Sequence, residues 1–448
     1  MRSTPTSGGM AGEGRRARRD RPTRPAVRVV IADTATRKRH YTHDEELPVK
    51  KKRLIIALGL AGIGTAAMAA PPVEFSGYMR AGVGVNARGG TQVCFGLPGA
   101  DTKWRLGNEC DYVIEPSFNS KIAEYEGSDW HVHFMPSAYR AWGDNEFNVP
   151  AGKRGDELVT RFGQVYTYGN NISVLGNGKL WAGRRFYNRL QLGINDQFVE
   201  NNDGDGAGLE DINLGFGKLS LALMMNPSNA SNDNRLTIPL RLTNIKTNPN
   251  GELAVYVTGQ DNVQTENQLT GVDPAEVAKR GTIGVYHSQN GVLGGNLWLG
   301  AKFEKQADQK IWRIIGQEQT QYGKTAIDFI TEYRNKSADN NLGDKWFSIG
   351  ARTDTYISGP FRFLAELGHD QIKPDVGDTR RLTKLTLAGA VSAGNTAGSR
   401  PTIRLFVTQG WWNEAARLAM VADKSRTAEV YGDKKSGTSI GIQGEAWW

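Results

Sequence analysis

With 2 cysteines in 448 residues, the chain has no disulfide framework to fold around, and one bridge is the most it can form. It lacks the apolar runs of about 20 residues that membrane helices require. Hydrophobic residues make up 39% of it and mean hydropathy is −0.48. Histidine is scarce at 6, with no metal-ligand spacing read among them, and neither a Walker loop nor an H-E-x-x-H motif occurs. Gly82-Val-Gly-Val-Asn-Ala87 has the letters of a dinucleotide loop, but it sits in a strand-like run and opens no helix. No catalytic set, cofactor or metal is expected. Aromatic residues are plentiful: 11 Trp, 14 Tyr and 15 Phe argue against disorder of the main body.

The formal charge of +8 suggests an acidic partner, but the excess is confined to one end. Residues 1–48 carry 11 basic and 6 acidic side chains, and Lys50, Lys51, Lys52 and Arg53 add four more positive charges. Subtracting these 15 from the 55 basic residues and the 6 from the 47 acidic ones leaves 40 and 41. A body with a net charge of −1 has no electrostatic footprint for nucleic acid, so none is expected as a partner.

The basic cluster precedes a short Ala/Gly-rich apolar run, Leu54 to Ala67, which ends in Ala67-Met68-Ala69. A positive segment, a short apolar core and a small-x-small site read as a secretory signal over residues 49–69, with the mature chain from residue 70. Residues 1–48 read as a disordered basic extension. A signal normally begins at the initiator, so translation is expected to start near Val49.

From Val73 onward, runs of about ten residues alternate apolar and polar side chains and are broken by Gly, Asn and Asp, with no long amphipathic helix between them. Val73, Phe75, Met79, Ala81 and Val83 share one face of the first run, and Glu74, Ser76, Tyr78 and Arg80 share the other. Ile403, Leu405 and Val407 alternate with Arg404, Phe406 and Thr408. The chain closes on such a run, in which Ile440, Ile442, Ala446 and Trp448 oppose Gln443, Glu445 and Trp447. Strands of this length, in an exported chain that ends on an aromatic, favour a transmembrane barrel of 16 to 18 strands over a soluble sandwich. The rival is a secreted β-sandwich that binds or hydrolyses carbohydrate.

The sequence resembles the maltoporin-type sugar porins over essentially its whole mature length. The likeness rests on six blocks in one order: Val73-x-Phe-x-Gly-Tyr-x-Arg80, Arg105-Leu-Gly-Asn-Glu-Cys110, Trp181-Ala-Gly-Arg-Arg-Phe-Tyr-Asn-Arg189, Gly206-Ala-Gly-Leu-Glu210 with Gly215-Phe-Gly-Lys-Leu-Ser220, Ser399-Arg-Pro-x-Ile-Arg404, and the final Trp-Trp. The resemblance implies an all-β, 18-stranded antiparallel transmembrane barrel with an inward-folded constriction loop. It further implies a homotrimer among outer-membrane lipid, and facilitated diffusion of oligosaccharides.

It also implies roles. Tyr78, Trp447 and, from a neighbouring subunit, Phe147 or Trp142 match an aromatic slide on which sugar rings stack. Phe198, Asp196 and Arg189 match the constriction, with Phe198 where the family has a tyrosine. Arg80, Arg105, Glu115 and Arg161 match charged positions along the channel, and Cys94 with Cys110 match a disulfide. The departures are equally specific. Val113 and Gly398 stand where the family has slide aromatics, Asn296 falls near another with Trp298 close by, and Gln191 and Gly193 replace an Asp and a His. Stacking on such rings contributes about 1 kcal/mol each, weak enough for a conducting path. With these losses, specificity for long maltodextrins does not follow.

Overall fold

A computed structural model describes residues 71–142, 161–225, 235–262, 279–306, 309–338 and 342–448. The expectations for residues 1–69 and for Phe147 fall outside the described residues. The chain order begins with β1 (Val73–Asn86), β2 (Asp111–Tyr125), β3 (Ser128–Ala141), β4 (Arg161–Ile172) and β5 (Gly178–Arg185). A small hairpin follows, β6 (Leu190–Leu192) and β7 (Gln197–Glu200), then β8 (Gly204–Asn213), β9 (Lys218–Met225), β10 (Arg235–Lys246) and β11 (Gly251–Asn262). Next come β12 (Arg280–Val292), β13 (Gly295–Gln306), β14 (Gln309–Tyr322), β15 (Thr325–Ala338) and β16 (Asp344–Ser358). The last strands are β17 (Phe361–Pro374), β18 (Arg380–Ser392), β19 (Thr402–Trp412) and β20 (Ser436–Trp447).

All but β6 and β7 belong to a single 18-stranded sheet in which each strand pairs antiparallel with its neighbours. The first strand also pairs with the last, Tyr78 opposite Trp447 and Val85 opposite Ile440, so the sheet closes on itself. Closure leaves no edge with unpaired N–H and C=O groups, the condition for a sheet in a bilayer. The soluble sandwich is thereby excluded.

Alternation selects the faces. Along β19, Ile403, Leu405 and Val407 are exposed on the outer wall, whereas Arg404, Phe406 and Thr408 are buried inside it. The same holds for Phe361, Phe363 and Leu367 against Arg362, Glu366 and Asp370 on β17. On β1, Phe75 is 55% exposed and Arg80 7%. An apolar exterior over a polar interior is the reverse of a soluble fold and suits a barrel in lipid. At one end the strands are joined by two-residue turns such as Glu126-Gly127 and Leu293-Gly294, where both residues have positive φ, as the type I′ hairpin turn requires. The opposite end carries the long connections 87–110, 186–203 and 413–435, the side that faces outward in such barrels. Near the short-turn end, Phe75 lies 5.2 Å from Phe118 and 5.4 Å from Trp448, and Phe118 stacks on Phe134 at 4.8 Å. Gly77 makes room for this outer girdle, since a Cβ there would come within 2.7 Å of the Trp448 ring.

One detail departs from the strand reading. The connection 413–435 holds two short helices, α1 (Glu414–Ala422) and α2 (Arg426–Tyr431), capped by the Asn413 and Ser425 side chains. Gly437-Thr438-Ser439-Ile440-Gly441 spells G-x-S-x-G, yet it runs straight along β20 instead of making a nucleophile elbow. Ser439 Oγ is engaged by the backbone of Val93.

Candidate functional site

Two of the long connections turn into the barrel. Residues 87–110 are closed at their base by the Cys94–Cys110 disulfide, with the Cα atoms 6.0 Å apart. Their descent is fixed by buried polar contacts with β17, β18 and β19. Lys384 Nζ donates to the Trp104 and Leu106 carbonyls and pairs with Glu366 at 3.0 Å. Leu106 N donates to Glu366 at 3.0 Å, and Thr386 and Thr408 bond the Leu106 and Gly107 carbonyls. The Trp104 ring lies over Gly350 and Gly368, where a Cβ would collide with it, and its Nε1 donates to Asp370.

The second inward segment, 186–203, carries the β6–β7 hairpin across the lumen. Leu192, Ile194 and Val199 bury against Trp104 of the first segment and against Tyr286, Ile315 and Ile330 on the far wall. Glu200 accepts from Tyr286 and pairs with Lys302 at 2.9 Å, and Gln197 donates to Glu332 at 2.9 Å. The two segments meet: Lys103 N donates to Asn195 O at 3.1 Å and Arg105 N to Ile194 O at 2.9 Å. The lumen is narrowed at this junction.

Four of the expected residues converge there. Arg80 pairs with Glu109 at 2.8 Å and Asp111 at 2.6 Å, and donates to the Tyr78 hydroxyl at 3.0 Å. Arg105 pairs with Glu109 at 2.9 Å and reaches Asp196 at 3.8 Å. Lys103 approaches the other oxygen of Asp196 at 3.3 Å. Burial works against the Arg105 charge, but Glu109 and Asp196 outweigh it and hold its pKa above the ordinary value. Asp196 itself sits at the hairpin tip with φ 59°, a left-handed conformation that Asp tolerates. At the edge of the first loop, burial would raise the Asp101 pKa, but Arg334 and Arg313 overrule it and hold the carboxyl below its usual value.

The other expected residues stand apart from this cluster. Arg189 is bound to Asp203 at 2.7 Å, with its guanidinium 3.2 Å from the Phe186 ring centroid and 5.1 Å from that of Phe198. Phe198 is 39% exposed, presenting its ring to the lumen. Glu115 lies directly opposite Tyr78 on β2 and accepts from Ser137 at 3.3 Å. Trp447 shares the face of Tyr78, and the Arg400 guanidinium covers its ring at 3.6 Å from the centroid. Arg161 opens β4. Val113 faces the lumen opposite Arg80, whereas the neighbouring Tyr112 points to the outer wall beside Arg140. Trp298 stacks on Tyr286 at 5.2 Å beneath the hairpin.

Sequence reasoning passed over Glu109 and Asp111, the counter-charges of Arg80 and Arg105, although Glu109 stands four residues after Arg105 inside one of the recognised blocks. It also missed the lumen-facing ladder of His131 on Tyr168 at 4.7 Å and His133 on Tyr166 at 4.8 Å. Their period-two spacing, 131/133 and 166/168, was the available signal.

Residues 73–448 match the LamB porin family. Among solved structures, OccK3 (OpdO) of Pseudomonas aeruginosa is similar at 9% identity, over 84% of this chain and 96% of that one, with a TM-score of 0.48. OccAB1 of Acinetobacter baumannii is similar at 10% identity, over 84% and 96%, with a TM-score of 0.46. Wzi of Escherichia coli, an outer-membrane protein described as a carbohydrate-binding β-barrel, is similar at 12% identity, over 83% and 84%, with a TM-score of 0.42.

Proposed function

The chain belongs to the LamB porin family, and on that premise we propose that it carries oligosaccharides across the bacterial outer membrane by facilitated diffusion, working as a homotrimer. It is a porin of that membrane, and the family and the closed barrel point to a channel rather than an enzyme. The observation that carries the sugar reading is the junction of the two inward segments, where Arg105 faces Asp196 at the hairpin tip and Phe198, two residues further along the hairpin, is exposed. A sugar offers an apolar C–H face and a rim of hydroxyls. Phe198 and Trp447 suit the face; Arg80, Arg105, Arg189, Asp196 and Glu115, with Arg161 further along, suit the rim. Phe147 or Trp142 would come from a neighbouring subunit. Each contact is weak and repeated, which lets a substrate enter and leave.

The test is planar-bilayer conductance of the purified protein titrated with a panel of oligosaccharides. Discrete steps that a sugar interrupts in a concentration-dependent manner are expected. A protein that forms no steps, or steps that no sugar affects, overturns the proposal.

A further inference from the structure

Three guanidinium groups share one carboxylate near the short-turn end of the lumen. Arg404 lies 2.6 Å and Arg400 3.3 Å from Glu445 Oε2, while Arg105 is 3.5 Å from Oε1, which also accepts from the Tyr78 hydroxyl at 3.0 Å. Among the described residues, the Nε atoms of Arg400 and Arg404 are buried without an acceptor. Burial, opposed by Glu445 and Asp354 but reinforced by Arg404 and Arg362, pushes the Arg400 pKa down to about 10. Arg400 shares its carboxylate partner Glu445 with Arg404 and Arg105, and its Nη1 donates to the Ala397 and Ser399 carbonyls. It also covers one face of the Trp447 ring.

These arginines open onto a cleft of about 380 Å3 whose wall includes Arg352, Asp328 and Asp354, with Ile194 of the hairpin at its edge. Little carboxylate is left over around it. Glu366 serves both Arg352 and Lys384, and Asp354 is bound by Arg362. Asp328 accepts from Gln317 and Gln319, each at 2.9 Å. Of the charged side chains that line the cleft, three are arginines (Arg352, Arg400 and Arg404) and two are aspartates (Asp328 and Asp354), and Glu445, which pairs with Arg400 and Arg404, also answers to Arg105.

We propose that this cleft binds saccharides carrying an anionic group, a uronate carboxylate or a phosphate, with Arg400 and Arg404 receiving the anion and Asp328 and Asp354 accepting from hydroxyls. The proposal rests on the oligosaccharide-channel reading and names its substrate class. A guanidinium fork matches carboxylate and phosphate oxygens and forms the stronger, charge-assisted class of hydrogen bond. The existing bonds of Arg400 and Arg404 to Glu445 keep the site weak enough for release.

The experiment compares current block by a neutral trisaccharide, a triuronate, a hexose phosphate and inorganic phosphate, on the full barrel in planar bilayers. At 0.1 M KCl the triuronate should block at a concentration about five-fold below the neutral trisaccharide, and the gap should close in 1 M KCl, where the Debye length falls from about 10 Å to about 3 Å. Arg400→Gln should remove the preference while neutral block persists or strengthens as Trp447 is uncovered. Arg352→Gln, which leaves Lys384 on Glu366, should reduce the preference on its own and stands in should Arg400→Gln fail to assemble. The triuronate and hexose phosphate arms tell which anion is favoured, and a preference for either supports the site. Equal block by neutral and acidic sugars in the unaltered channel, or a preference untouched in both variants, overturns the proposal and leaves the oligosaccharide reading standing. Inorganic phosphate blocking as well as the hexose phosphate, with no triuronate preference, reduces the cleft to a plain anion site and also overturns it. A channel that no sugar blocks overturns the oligosaccharide reading itself.

Discussion

Lys384 shows how much of the interior hangs on single charges. It points into the barrel from β18, has 1% of its side chain exposed, and pairs with a Glu366 side chain that is 0% exposed. Together they hold the Trp104–Gly107 stretch through backbone bonds that span about 280 residues of sequence. Breaking a buried pair by removing one partner costs about 3–5 kcal/mol, because the other charge is left uncompensated. Arg352 still engages Glu366, so Lys384→Met should fall at the lower end of that range. The expected outcome is a lower unfolding temperature by circular dichroism and a noisier, larger single-channel conductance as the first loop loosens; a quiet, unchanged conductance would show that the loop is held by other means. The inward orientation of Arg80, Tyr78 and Glu445 was legible from alternation alone. Their partners were not, since Glu109 lies in a loop and Lys384 meets Glu366 only after two strands have been registered.

At the scale of elements, strands were the legible part. The alternating runs from Val73 to Val83, from Ile403 to Thr408 and from Ile440 to Trp447 fall on β1, β19 and β20. Inward loops were not legible from pattern, because Leu190-Gln-Leu192 alternates as a wall strand does and Gln197-Phe-Val-Glu200 is too short to show a period. What turns them inward is the apolar seat of Trp104, Tyr286, Ile315 and Ile330, supplied by four separate parts of the chain. The helices of 413–435 escaped for a different reason: 9 and 6 residues are too few to show a helical period. The first loop has a covalent restraint that the hairpin lacks. Closing a loop of 15 intervening residues contributes about 3 kcal/mol in the chain-entropy account. The barrel ladder uses neither cysteine, so a Cys94→Ser/Cys110→Ser variant should still migrate as a folded, heat-modifiable band on gels. Its unfolding temperature should drop to that of the reduced unaltered protein. A variant that no longer gives a folded band would assign the bridge a role in barrel assembly itself.

For the whole molecule, the charge of +8 describes the first 53 residues, and the barrel is close to neutral because its cations and carboxylates are paired within the lumen. The outer wall bears the burden of the membrane assignment, and it can be tested by depth. Leu387 and Ile403 are both on that wall, 40% and 53% exposed, Leu387 at mid-strand on β18 and Ile403 beside the short-turn end of β19. Moving an arginine into hydrocarbon is costly only where water and headgroups are out of reach, about 2–4 kcal/mol at the midplane and about 0–1 near the interfaces. Leu387→Arg should therefore destabilise the folded barrel in lipid vesicles by several times as much as Ile403→Arg, read from reversible denaturant titration by tryptophan fluorescence. Lysine at Thr386, one residue along and inside the lumen, would report packing under Leu106 instead and serves as the contrast. In a water-soluble shell both outer positions would be solvated alike, and the two arginine variants would be equally mild; that result would remove the bilayer from the account of this fold.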